Sequence, residues 1–157
     1  MASEIVESLR IRYDVCSQSE QTTMRFVPTP HGEFKLYWQG DVFVVEYFDT
    51  WNDVTARQLL QQALPMWQQH GSRDWGLLSD ARLWTGATPE AIEAWWVFFE
   101  AGVQHGMKAF TGLLSSELHV RLVETLSQRA SQLVPYQRSQ DLPSAFTWLQ
   151  QQGISVS

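Results

Sequence analysis

Asp80 is the polar side chain that its place in this 157-residue chain singles out for chemistry. It follows the short apolar run Trp75-Gly76-Leu77-Leu78-Ser79 and so closes a predicted inner strand. Open α/β sheets place their ligand crevices at that end of their strands. A carboxylate there acts as a general acid or base only beside a second group, and no paired carboxylate or histidine stands near it in the chain. The structural alternative is that Asp80 accepts from the amides of the following loop, with Arg82 as its ion partner. Arg82, Trp84, Thr85 and Thr88 complete the candidate crevice, where the Trp84 ring would hold a small ligand beside Asp80. A loop tryptophan also packs readily against its own domain.

The other titratable groups offer less. His31, His70, His105 and His119 are widely spaced, and His70 and His105 each precede a glycine at a predicted helix end. There an imidazole bonds the last carbonyls and, when charged, complements the helix dipole. No histidine pair has the i, i+4 spacing of a helical zinc site, and the single cysteine, Cys16, has no second thiol for a disulfide or a thiolate cluster. A nucleophile elbow, a P-loop and a dinucleotide fingerprint are all missing. The sequence therefore names no metal or cofactor and leans away from an enzyme. A small enzyme using Asp80 stays as the alternative, because convergent sites escape motif reading.

Charge narrows the partners. Seventeen acidic against eleven basic residues give a net charge of -6, with the basic residues scattered singly. Nucleic acid and anionic membrane surfaces both need concentrated positive charge, so neither is expected. No segment approaches the roughly 20 apolar residues of a membrane span. The opening stretch, interrupted by Glu4, Glu7, Asp14 and Glu20, has no signal-peptide core. A cytoplasmic, reducing compartment fits the lone cysteine. With 44% hydrophobic residues, eight Trp and eight Phe, the chain carries enough ring surface to build one core in one domain.

The elements that must position these residues follow from period changes. Residues 1–30 read as an N-terminal extension, partly ordered at most, in which Ile5, Val6, Leu9 and Ile11 form a short amphipathic helix before a Ser/Gln/Thr-rich stretch that ends at about Thr23. Residues 31–157 read as a single domain. Glu33 to Trp38 and Val42 to Phe48, joined by Gln39-Gly40-Asp41, form a predicted hairpin, and the second run is apolar enough to be covered on both faces. Asn52 caps a helix in which Ala56, Leu59, Leu60, Ala63, Leu64 and Trp67 share a stripe, with a kink or break expected at Pro65. Trp75 to Ser79 is a strand and Ala81 to Ala87 a loop. Thr88 and Pro89 start a helix to about His105, Lys108 to Leu114 is a strand, and Ser115 or Ser116 caps a helix to about Ala130. Val134 to Arg138 and a helix from Asp141-Leu142-Pro143 close the chain. The order ββαβαβαβα implies an α/β fold: a five-stranded mixed sheet with about four packing helices.

This succession resembles the STAS or SpoIIAA-like family of anti-sigma-factor antagonists over roughly Phe34 to Gln152. The hairpin Phe34 to Phe48, the strand ending Leu77-Leu78-Ser79-Asp80 and the closing Asp141-Leu142-Pro143-Ser144-Ala145-Phe146-Thr147-Trp148-Leu149 carry the resemblance. Many members hold an Asp-Ser-Ser-Gly motif at the start of the second helix, where a serine is phosphorylated. The matching place here, Thr88-Pro89-Glu90-Ala91, lacks the serines and the glycine, so that switch does not transfer. The resemblance implies a non-catalytic module of regulatory type that binds a protein or a small apolar ligand.

On the helix from Pro89, Ile92, Trp95, Trp96, Phe99 and Val103 share the face expected on the sheet. Phe98, with Ala94, Val97 and Ala101, then forms a surplus apolar face. Three covers compete: the N-terminal segment, a second subunit in a homodimer, or an apolar ligand.

Overall fold

The computed structural model describes residues 12–18, 21–27, 29–71 and 73–157, the first two stretches by their backbone alone. Strands β1 (Arg12–Gln18) and β2 (Gln21–Val27) pair antiparallel as a two-stranded sheet of their own. Where a short helix around Ile5 to Ile11 and then a Ser/Gln/Thr-rich stretch were expected, the chain from Arg12 pairs two β-rich runs (Tyr13, Val15 and Thr22, Thr23, Phe26, Val27). Residues 1–11, which hold that expected helix, lie outside the described residues.

The main sheet holds β3 (Glu33–Gln39), β4 (Val42–Trp51), β5 (Trp75–Ala87), β6 (Met107–Leu114) and β7 (Tyr136–Arg138), in that spatial order. β3 and β4 form the expected antiparallel hairpin, and each later pair is parallel. The hairpin turns at Gly40, whose φ of 61° favours glycine. A Cβ there would also stand 2.5 Å from the Ser157 nitrogen, because the C-terminal segment docks on the turn through an Asp41 amide bond of 2.8 Å to the Ser155 carbonyl.

Helices cover both faces. α1 (Asp53–His70), α2 (Pro89–Gln104) and α4 (Glu124–Ser131) lie on one, and α5 (Leu142–Gln151) on the other, while α3 (Glu117–Leu122) leads into α4 and buries none of its residues. β4 is apolar almost throughout for this reason: Phe43, Val45 and Tyr47 enter the α1/α2 core, and Val42 and Val44 enter the α5 core. The starts at Asn52 and Thr88 are capped as read from the sequence, and Asp141 caps the helix it was expected to open. Asn52 accepts from the Thr55 amide at 3.1 Å, Thr88 from the Ala91 amide at 3.1 Å, and Asp141 from the Ser144 amide at 2.9 Å. Each cap contributes about 1 kcal/mol.

Three expectations change. α1 runs unbroken through Pro65, because Pro65 and Gln61 are exposed and the carbonyl freed by the missing N–H faces water. The helix expected from Ser115 to Ala130 divides at Val123, whose ψ of 11° ends one helical run and opens the next. The predicted loop Ala81 to Ala87 is strand, pairing with Phe48, Asp49, Thr50 and Trp51 through two register shifts. Each shift adds a residue on β5, and such bulges re-aim the side chains beyond them.

α2 buries two faces. Phe99 packs edge-on to Phe110 of the sheet at 5.1 Å, and Phe98 lies against Trp67 of α1 at 5.4 Å between ring centroids. Gly102 permits the approach, since a Cβ there would come within 2.7 Å of Met107 and 3.5 Å of Trp67. Phe98 is fully buried, Ala94 and Ala101 are half-buried against the same core, and Val97 remains 54% exposed. α1 therefore covers Phe98, the anchor of the surplus face read from the sequence, and leaves Val97 open. A single-face wheel missed this because a helix between a sheet and a neighbouring helix has two apolar contacts to make.

Candidate functional site

The rings of the α1/α2 layer are spread unevenly. Toward the amino ends of the parallel strands Trp38, Phe43, Trp67, Trp75 and Phe98 fill the layer ring against ring. Trp51 and Trp84 toward the carboxyl ends, Trp95 of α2, and Phe110 and Tyr136 level with Phe43 on the neighbouring strands stand around an open cavity. Its floor is made of small residues on the sheet, Ser79, Ala81 and Gly112. α2 supplies Ala91, Ile92 and Trp95, and the α3–α4 break supplies Val123, Leu126 and Ser127. The space open to the centre of a water-sized sphere is ≈ 90 Å³. On that measure one water needs about 10–15 Å³, so the cavity exceeds a single water several-fold.

Gly112 makes much of this room. It faces the cavity from the middle of a strand, and a Cβ built on it meets only the Ser79 carbonyl, at 3.7 Å. Glycine weakens a strand interior and marks places where another group comes close to the backbone. Nothing in the periodicity singles Gly112 out; the signal available in the sequence was a lone glycine inside the apolar run Ala109 to Leu114.

Besides Ser127 at the α3–α4 break, a hydrogen-bonded polar group interrupts the apolar wall. The Tyr47 hydroxyl accepts from the Trp95 indole N–H at 2.9 Å and lies 2.8 Å from the Ser79 hydroxyl. Burial pushes the Tyr47 phenol up to about 12, outweighing the lowering by its Ser79 and Trp95 hydrogen bonds. At neutral pH it is an uncharged donor and acceptor. Among the described residues no charged side chain lines the cavity.

Of the crevice expected around Asp80, Asp80 and Arg82 line a second pocket with Glu46, Phe48, Leu83 and Leu142, while Trp84 lies across the sheet in the first. Asp80 points to the α5 side, where its two oxygens take the Arg82 guanidinium at 2.8 Å each and one also accepts from the Arg82 amide at 3.3 Å. Asp80, through this hydrogen bond, raises the Arg82 pKa, and Glu46 and Asp141 add to it. This is the structural alternative read from the sequence, and both carboxylate oxygens are engaged. Asp80→Ala should therefore lower stability in urea by about 1 kcal/mol, the scale of a partly exposed charged pair. A loss above about 3 kcal/mol would mean that Asp80 supports more than Arg82.

Trp84 stands on the opposite face, buried in the cavity wall. The reason is the bulge: Glu46 pairs with Asp80 but Phe48 pairs with Leu83, so three steps on β5 match two on β4. The extra residue reverses the alternation and puts Trp84 on the side of Ser79 and Ala81. Thr85 is exposed and shares a 2.7 Å hydrogen bond with Thr50, and Thr88 is occupied as the α2 cap.

A second cluster was not foreseen. His119 Nδ1 lies 2.9 Å from the Ser115 hydroxyl and 3.1 Å from that of Ser116, with its ring 5.5 Å from Trp84. Ser-Ser-x-x-His was the available signal. A serine nucleophile with a histidine base also needs a group that orients the ring. The described residues pair His119 with no carboxylate, and the contacts tie the start of α3 to its first turn. Among the described residues no three His, Cys, Asp or Glu side chains gather as a metal requires, and no helix is long and apolar enough to cross a membrane.

Comparison with known proteins supports the architecture alone. No family model and no curated protein matches the chain. A solved structure of an uncharacterized protein of the DUF3478 family with a SpoIIAA-like fold, from Shewanella loihica PV-4, is similar at a TM-score of 0.55 and 15% identity. The match covers 78% of this chain and 97% of that one. The fold resembled in the sequence is thus the fold found: an α/β, SpoIIAA-like arrangement with a mixed five-stranded sheet.

Proposed function

We propose that this chain is a non-catalytic binding module whose ligand is a small apolar molecule held at the carboxyl end of the parallel strands. The observation that carries the reading is the cavity floored by Gly112 and walled by Trp84, Trp95 and Phe110. Unfilled apolar space costs a fold the contacts its lining would otherwise make. A glycine in a central strand removes a side chain that would have filled it. The lining has the composition of a small-molecule site, mostly rings and aliphatic groups with few polar atoms. Its place at the strand ends matches where open α/β sheets bind ligands.

The test is a chemical-shift titration with ethylbenzene of the chain and of its Gly112→Leu variant. Saturable shifts at Ser79, Ile92 and the residues beside position 112 are expected in the parent. In Gly112→Leu, whose side chain enters the cavity, affinity should fall at least tenfold with no loss of melting temperature. No saturation in the parent, or equal affinity in both proteins, would overturn the reading.

A further inference from the structure

The hydrogen-bonded polar group in the cavity wall has one hydrogen more than its internal hydrogen bonds use. The Trp95 indole N–H, the Tyr47 O–H and the Ser79 O–H bring three hydrogens. The group makes two hydrogen bonds: Trp95 donates to Tyr47, and Tyr47 and Ser79 share one in which either is the donor. Three less two leaves one hydrogen, carried by Ser79 or Tyr47 according to which donates, with no acceptor among the described residues. Both residues line the cavity, and they are 7% and 6% exposed. Water can take this hydrogen in the open cavity, but an apolar ligand that displaces the water leaves the donor unpaired at a cost, so a ligand with a matching acceptor at this place gains the difference. Ser79 also keeps a lone pair when Tyr47 donates to it.

We infer that the ligand carries a neutral oxygen, a carbonyl or a hydroxyl, at the end that enters the cavity, and that the Tyr47–Ser79 hydroxyl pair selects it. This rests on the binding reading above and names the ligand class. A carbonyl takes the spare hydrogen; an alcohol takes it and also donates to the Ser79 lone pair. A carboxylate or an ammonium is disfavoured, because among the described residues the lining holds no charged side chain to pair with it. The phenol stays neutral across physiological pH and so remains a hydrogen-bonding group.

The experiment titrates the unaltered chain with ethylbenzene, acetophenone and benzoate at pH 7. Acetophenone should bind about tenfold better, relative to ethylbenzene, than the ratio of their water-to-cyclohexane partition allows, the scale of one satisfied buried hydrogen bond. Benzoate should bind at least tenfold more weakly than acetophenone. The Tyr47→Phe, Ser79→Ala double variant should lose most of the acetophenone excess. The carbonyl stretch of acetophenone bound to the unaltered chain gives a readout that does not depend on the variant's folding: it should lie below its frequency in cyclohexane. Affinities that follow partition, benzoate binding as tight as acetophenone, or a carbonyl frequency equal to that in cyclohexane would each overturn the inference while leaving the cavity reading intact. If none of the three compounds binds, the cavity reading fails and takes this inference with it.

Discussion

Phe98→Glu should unfold the domain, and the milder Phe98→Ala should lower its stability by about 3–5 kcal/mol. Phe98 is fully buried between α2 and α1, 5.4 Å from Trp67 and 6.0 Å from Trp95 by ring centroids. Truncation removes the ring's burial and leaves a cavity that a layer packed ring on ring refills poorly. A carboxylate placed there would have to be buried without a partner, at a cost comparable to the roughly 5–15 kcal/mol that holds a domain together. For a chain of this length Phe98→Ala should lower the melting temperature by roughly 6–20 °C. Circular dichroism melts and sedimentation check this together. A Phe98→Glu protein that kept its near-UV signal and changed only its mass would show that the ring contacts another subunit and not α1.

Alkaline pH should weaken the fold through Tyr47. Its folded pKa stands near 12 against an ordinary value of 10.0, chiefly because burial disfavours the phenolate. A pKa raised on folding means that the stabilisation is intact below pH 10 and is lost as pH climbs to about 12. The unfolded chain sheds the proton over that window while the folded one keeps it. Two pH units correspond to about 3 kcal/mol. Unfolding free energies of the parent and Tyr47→Phe at pH 8 and near pH 12 isolate the effect, since every other titrating group is common to both. The parent should lose about 2 kcal/mol more than the variant across that interval, since at pH 12 half of the folded phenol is itself ionised. Equal losses would place the phenol in contact with water. At pH 8 the variant should itself be less stable by about 1–3 kcal/mol, because the Trp95 N–H and the Ser79 hydroxyl lose their partner.

Much of the scaffold was legible because its signals are local. Asn52, Thr88-Pro89 and Asp141-Leu142-Pro143 mark helix starts through hydrogen bonds that reach only three residues along the chain. The unbroken apolar run Val42 to Val45 marks a strand covered on both sides. From such cues the order of elements from β3 to α5 and the α/β class could be read, and the spatial fold agrees with them. The hairpin of β1 and β2 was misread because isolated β-rich runs with many polar residues show no clear period.

The functional surface was legible only in pieces. Asp80, Arg82, Trp84, Thr85 and Thr88 are neighbours in the chain, but one extra residue in β5 turns Trp84 to the opposite face from Asp80. A bulge shows only against the partner strand, so no count along a single chain can reveal it. Tyr47, Ser79 and Trp95 meet across 32 and 48 residues of sequence separation. What the sequence determined by itself was the string of elements and their apolar faces, since these follow from each residue's own backbone preference and its near neighbours. What only the tertiary structure decided was which side chains share a space: the cavity over Gly112, the hydroxyl pair in its wall and the cover on Phe98. Those depend on strand register and on helices meeting helices, which are contacts between residues that the chain keeps far apart.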